Sequence, residues 1–158
     1  MSTSNKKRVL AAVFGLMVVG LPLQSAMAVD PMEEVRSALG PGKKDYIEKH
    51  MNLSAKEATK FWPLYYAYQE GLGKLNYRVQ TNHKFLLRSW EAMNDTVIKD
   101  IVNEATAIED ERSQLTKQYV KKFLDVLPAK KVAHYFVLEY KFRSTINYDM
   151  AAGLPVVR

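Results

Sequence analysis

The stretch that decides the fold is LSAKEATKFWPLYYAYQEGLGKLNYRV, residues 53–79. Ser54, followed three residues later by Glu57, is a capping box, which predicts the start of a helix. Apolar side chains then recur at a spacing of about 100° per residue, which places them on one helix face. This face consists of Phe61, Leu64, Tyr65, Tyr68, Leu72, Leu75 and Val79. The stretch therefore predicts a long amphipathic helix over about residues 54–90.

Pro63 lies inside this predicted helix, nine residues after the cap. A proline there removes one backbone hydrogen bond and its ring crowds the preceding turn. We therefore expect the helix either to kink near Pro63 or to start anew after it.

Two more long amphipathic helices are predicted downstream. Asn94 is the next capping candidate and opens a helix over residues 96–126. Pro128 suits the first turn of a third helix over residues 128–152, because the proline's missing N–H is not needed there. Gly153 is typical of the end of a helix.

The remaining sequence predicts little other regular structure. Residues 29–42 are rich in proline and glycine, and we expect a mobile lead-in with at most one short helix. A second short helix is predicted over residues 43–51. Because no convincing strand pattern occurs, the prediction is an all-α fold, with a single helical domain over residues 43–158. A helical hairpin, a bundle and a curved cradle all fit three such helices.

The first 28 residues have the pattern of a cleaved signal peptide. A basic start, MSTSNKKR, precedes an apolar run, and Ala26-Met27-Ala28 fits a cleavage site after Ala28. The run is shorter than the ~20 residues that a membrane-spanning helix needs. The chain has no cysteine, so disulfides cannot stabilise an exported form. We predict a periplasmic protein whose net charge falls from +6 to +3 when Lys6, Lys7 and Arg8 are removed.

A second aromatic line runs along the first long helix, about 100 to 160° from the apolar face. It contains Trp62, Tyr66 and Tyr77. These side chains either pack on the third helix or the N-terminal segment, or they bind a partner, since Tyr and Trp combine contact area with a polar group. Whether they are covered within one chain decides between these interpretations.

Basic residues concentrate between residues 117 and 143, where seven lysines and arginines stand against two acids. Lys117, Lys121, Lys122 and Lys130 belong to this set. Such a run is either a solvated face or a docking surface for acidic protein segments, lipopolysaccharide or lipid phosphates. An exported protein rarely meets nucleic acid, and we expect no nucleic-acid partner.

Four charged residues interrupt the apolar faces of the second and third long helices: Glu109, Arg112, Glu139 and Arg143. Glu139 and Arg143 are spaced i, i+4 on the third helix. Unpaired charges are costly to bury, so we expect a buried or half-buried ion-pair network that fixes the register of the second and third helices. A ligand or metal site is the alternative. A di-iron centre would need histidine three residues after each glutamate, where this chain has Arg112 and Phe142.

No catalytic motif is recognisable. His50, His83 and His134 are far apart in sequence and have no nearby metal-ligating residue at i+3 or i+4. Nucleotide-binding loops, nucleophile elbows and zinc-protease motifs are also missing from the sequence. We therefore predict a protein that is not an enzyme and that has no cofactor.

The layout resembles the Spy/CpxP-like periplasmic proteins, a helical family marked by two L-T-x-x-Q motifs. Leu53-Ser54-Ala55-Lys56-Glu57 stands where the first motif would be, and Leu127-Pro128-Ala129-Lys130-Lys131 occupies the second place but keeps only the leucine. The resemblance implies a thin curved dimer whose concave face holds unfolding proteins without ATP. Some members of that family instead dampen an envelope-stress sensor kinase or bind zinc.

These observations together predict a chaperone or stress adaptor that binds unfolded or partner proteins through an aromatic and basic surface. The alternative is a regulatory or scaffold subunit for one envelope partner, such as a sensor kinase. A metal-binding protein is the least favoured hypothesis. A homodimer is compatible with each.

Overall fold

The computed structural model describes residues 31–154, and all regular structure in that part of the chain is helical. Two short helices, α1 (Pro31–Ser37) and α2 (Lys43–Met51), precede three long ones. The long helices are α3 (Ala55–Ser89), α4 (Asp95–Leu124) and α5 (Ala129–Ala152). Single 3-10 turns lie at Gly40–Gly42 and Trp90–Ala92. The prediction of an all-α fold with three long helices is confirmed.

Local side-chain chemistry sets the ends of the long helices. At the start of α3, Ser54 Oγ accepts a hydrogen bond from Glu57 N at 3.4 Å, and Glu57 Oε2 accepts one from Ser54 N at 2.8 Å. Asn94 Oδ1 caps α4 by accepting from Val97 N at 3.1 Å. Both predicted caps are therefore present, because a cap depends only on residues that are adjacent in sequence.

Helix α3 continues through Pro63 without starting anew, so that alternative was wrong. Pro63 is exposed. The proline ring therefore points to solvent, while the apolar face on either side of it stays on the core.

Helices α3 and α4 form an antiparallel hairpin, which is held along its length by paired contacts. Near its open end, the rings of Phe61 and Phe123 lie 5.3 Å apart. Midway, Arg78 donates to both carboxylate oxygens of Glu104, at 2.8 and 3.0 Å. Bidentate pairing of this kind fixes the two helices at a defined register.

Helix α5 packs on the hairpin through a cluster of aromatic side chains. Tyr135 is fully buried, and its ring lies 5.1 Å from Phe61 and 4.9 Å from Phe123. Most of these ring pairs are edge-to-face, the arrangement that favours contact between a ring's positive edge and its neighbour's negative face. The core therefore sits where α3, α4 and α5 meet.

Helices α1 and α2 run antiparallel to α5 and cover its other side. Arg36 pairs with Asp149, and the rings of Tyr46 and Phe142 are 5.3 Å apart. Val35 is fully buried within the core cluster. Helix α1, which lies in the expected lead-in, therefore packs against α5 and contributes to the core. The predicted signal peptide, residues 1–28, lies outside the described residues.

Candidate functional site

The polar side chains between the helices form two separate groups, the first of which surrounds Glu139 on α5. Glu139 is 8% exposed. Lys43 Nζ donates to Glu139 Oε2 and to Gln69 Oε1, both at 2.8 Å. Gln69 Nε2 in turn donates to Glu139 Oε1 at 2.8 Å and to Tyr135 Oη at 3.2 Å. This Glu139 network (Lys43, Gln69, Tyr135 and Glu139) ties α2, α3 and α5 together.

The Glu139 network satisfies its buried groups. Both carboxylate oxygens and the lysine are hydrogen-bonded, which is what makes a buried charge pair tolerable. Burial, together with the nearby Glu139 charge, raises the pKa of the Tyr135 hydroxyl well above its ordinary value. Tyr135 is therefore a neutral hydroxyl that serves packing.

The second group surrounds Arg112 on α4, which is 7% exposed. Arg112 Nη2 donates to Asn76 Oδ1 at 3.0 Å, whereas its Nε lies 3.6 Å from Glu109 Oε1. Arg143 Nη2 donates to the other carboxylate oxygen of Glu109 at 2.5 Å. This Arg112 cluster (Asn76, Glu109, Arg112 and Arg143) joins α3, α4 and α5.

The expected single network of four charges is therefore only partly present. Glu109, Arg112 and Arg143 come together, but Glu139 pairs with Lys43 and not with Arg143. Glu139 pairs with Lys43 because Lys43 offers a half-buried partner from a helix that is distant in sequence.

Sequence reasoning missed Lys43, Gln69 and Asn76. Gln69 and Asn76 are seven residues apart and so share one face of α3, next to the apolar positions. Polar residues at that spacing beside an apolar face were a usable signal. No comparable sequence signal marks Lys43, because only the tertiary structure brings it close to Glu139.

Apart from Tyr135, the members of both polar groups line one cleft between α5 and the α3–α4 hairpin, with a volume of about 470 Å³. Its walls are largely apolar. They include Leu72 and Val79 from α3, Ile108 from α4, and Ile146 and Met150 from α5. The cleft is thus an apolar space with charged groups placed on its lining.

The predicted aromatic line is covered at one end and open at the other. Trp62 is half-buried beneath Lys44, whose Nζ lies 4.8 Å from the ring. Tyr66 and Tyr77 are 53% and 71% exposed. Trp62 is therefore partly satisfied within the chain, while the two tyrosines offer large uncovered rings.

The predicted basic residues are mostly solvated. Lys117, Lys121 and Lys130 are exposed and form no ion pair with any residue between 31 and 154. Lys122 is half-buried, with its Nζ 4.5 Å from the Tyr119 ring. Three of the four lysines are thus exposed to solvent, and none of the four forms an ion pair within residues 31–154.

The structure does not bring the tyrosines and the lysines into one patch. Helical spacing puts Lys117 and Lys121 on the face of α4 opposite the core-facing Arg112. Tyr66 and Tyr77 lie on α3, about 100° or more around from its core face. They form an aromatic α3 face, and Lys117 and Lys121 form a separate basic α4 face, whereas Lys130 lies on α5.

The histidines stand apart on α2, α3 and α5. His50 stacks beside Tyr46 with ring centroids 4.2 Å apart, His83 lines the cleft and His134 is exposed. Over residues 31–154, no three acid or histidine side chains are grouped so that they could hold a metal ion.

Within the same range, no helix has the length and apolar character required to cross a bilayer. Comparison of the chain with models of protein families, with curated proteins and with solved structures finds no match.

Proposed function

We propose that this chain is a non-enzymatic periplasmic protein that binds unfolded or partner proteins, as a chaperone or stress adaptor of the Spy/CpxP-like kind. The observation that carries the proposal is the aromatic α3 face, where Tyr66 and Tyr77 keep 53% and 71% of their surface exposed. Exposed large aromatic groups with a polar end are the side chains that dominate protein-binding surfaces.

Charge supports the same proposal. Lys117, Lys121 and Lys130 have no acidic partner in the described part of the chain, so their field extends into solvent. A basic face speeds encounter with acidic protein segments, and salt weakens this attraction. Binding by such a surface needs no ATP, because the client is held by contact and released by competition with its own folding.

The proposal is tested by the aggregation of a chemically reduced client at equimolar protein. We expect the wild type to suppress light scattering and the pair Tyr66→Ser and Tyr77→Ser to suppress it less. Tyr148→Ser is the matched control, since Tyr148 is 69% exposed on α5, outside the aromatic α3 face. Wild-type protein that neither suppresses scattering nor binds the client in a titration would refute the proposal.

The second candidate is a regulatory or scaffold subunit for a single envelope partner such as a sensor kinase. It is favoured by the separation of the basic α4 face from the aromatic α3 face, because a face of one charge suits one acidic partner. A pull-down from periplasm distinguishes the two. One stoichiometric partner that is lost in the double variant Lys117→Glu, Lys121→Glu supports the scaffold; many weak partners that are lost with Tyr66 and Tyr77 support the chaperone.

A further inference from the structure

The cleft between α5 and the hairpin has the size and lining of a small-ligand site. Its volume of about 470 Å³ lies within the range of roughly 300 to 1,000 Å³ that is typical of such sites. Apolar side chains from three helices line it, and Gln80, Asn82 and Asn147 add polar groups to those of the Glu139 network and the Arg112 cluster. An elongated apolar group would bury its surface there.

The charges on this lining do not cancel. Lys43 is paired with Glu139, and Arg143 with Glu109, each through a hydrogen bond of 2.8 Å or less. Arg112 shares the Glu109 carboxylate with Arg143 and forms only the longer contact, with its Nε 3.6 Å from the nearer oxygen and no hydrogen bond between them. The lining therefore holds three cations against two carboxylates.

Arg112 is also under-satisfied in its hydrogen bonds. Nε is buried and has no hydrogen-bond partner, and among the described residues the guanidinium donates only to Asn76, which is neutral. A guanidinium has five N–H donors in a planar fork that matches a carboxylate or a phosphate. Burial, followed by the charge of Arg143, lowers the pKa of this guanidinium, although Glu109 acts in the opposite direction.

We propose that the cleft binds a single-chain amphiphile whose anionic head, a carboxylate or a phosphate, pairs with Arg112 while its apolar chain lies along Leu72, Ile146 and Met150. The anion supplies Arg112 with a hydrogen-bonded negative partner, because the Glu109 carboxylate is hydrogen-bonded to Arg143 instead. The chain fills the apolar part of the cleft. This inference is independent of the protein-binding proposal, since it uses neither the aromatic α3 face nor the basic α4 face.

The test is calorimetric titration of the whole protein with decanoate below its micelle concentration. We expect saturable binding at one site and affinity at least about tenfold weaker for decanol, which has the same chain without the charge. A third arm uses decanoyl lysophosphatidic acid, which distinguishes a phosphate head from a carboxylate head. Failure of both anions to saturate a site, or equal affinity for decanol, would overturn the proposal.

Two variants locate the site. Arg112→Met removes the head contact yet leaves Glu109 paired with Arg143, so we expect at least tenfold weaker binding of the anion with no loss of thermal stability. Ile146→Trp fills the cleft and should abolish binding of anion and alcohol alike, with helicity checked by circular dichroism. Tyr148→Ser, on the exposed side of α5, should bind as the wild type does. Unchanged affinity in both cleft variants would contradict the assignment.

Discussion

Glu139 has a different ion-pair partner in the structure from the one that helical spacing predicts. Arg143, at i+4, is the partner that helical spacing predicts. In the structure Lys43 takes this role, with side chains only 19% and 9% exposed for Lys43 and Glu139. The choice of partner determines the cost of mutation. Removing one member of a buried pair leaves the other charge buried without a counter-charge, which lowers the free energy of unfolding.

Glu139→Leu is therefore expected to lower the free energy of unfolding by about 2–4 kcal/mol, since Lys43 would lose its counter-charge. Arg143→Met should cost less than about 1 kcal/mol, because its pair with Glu109 is half open to solvent. Urea denaturation of the two variants and the wild type measures the difference. Equal losses of unfolding free energy in the two variants would mean that the buried Lys43–Glu139 pair stabilises the fold no more than the exposed Arg143–Glu109 pair does.

Glu57 links the cap of α3 to stability at low pH. Its carboxylate accepts from Lys131 Nζ at 2.7 Å and from Ser54 N and Oγ, both at 2.8 Å, and these bonds lower its pKa to about 2. A depressed folded-state pKa contributes stability above the unfolded value of about 4.3, and this contribution is lost as the pH falls toward 2.

Glu57→Gln should accordingly be less stable than the wild type at pH 7, and the difference should shrink between about pH 4 and pH 2. Thermal unfolding followed across this range measures it. Asp110→Asn is the control, since Asp110 is exposed and forms no ion pair within residues 31–154. If the difference in stability between Glu57→Gln and the wild type stays constant down to pH 2, ionisation of the Glu57 carboxylate does not contribute to stability.

At the scale of the helices, local signals predicted a great deal. The caps at Ser54 and Asn94 and the end of α5 at Gly153 depend on neighbouring residues, so sequence alone placed them within a few positions. The continuity of α3 through Pro63 was harder to predict, because packing of the apolar face on both sides outweighs the lost hydrogen bond.

Two glycines on α3 test how closely the helices approach. A Cβ at Gly73 would meet nothing within 4 Å, whereas one at Gly71 would lie 2.9 Å from Leu115 Cδ2 on α4. Gly73→Ala should stabilise the protein by roughly 1 kcal/mol, the difference in helix propensity. Gly71→Ala should gain less, or lose stability, because Leu115 must shift.

Thermal unfolding of the two glycine variants provides the comparison, and each serves as the control for the other. If Gly71→Ala stabilises the protein as much as Gly73→Ala does, the Leu115 side chain shifts away from the new methyl group without a measurable energetic cost.

At the scale of the whole molecule, the sequence predicted the class of fold but not the contacts between distant segments. Lys43 reaches Glu139 and Val35 enters the core only because α1 and α2 fold back along α5. The cleft likewise forms between elements far apart in the chain. Its charged lining was singled out through Glu109, Arg112, Glu139 and Arg143, while its apolar volume has no local signature.

The N-terminal helices give the last prediction. A chain that begins at Lys43 loses α1, together with the fully buried Val35 and the Arg36–Asp149 pair. Burial of one valine contributes about 1.5–3 kcal/mol, so we expect a clearly lower unfolding temperature than for the chain that begins at Val29. Val35→Ala should reproduce about 2 kcal/mol of the loss, whereas Arg36→Met, at a solvent-exposed pair, should cost less than about 1 kcal/mol. If the shortened chain unfolds at the same temperature as the longer one, α1 packs on α5 without stabilising it.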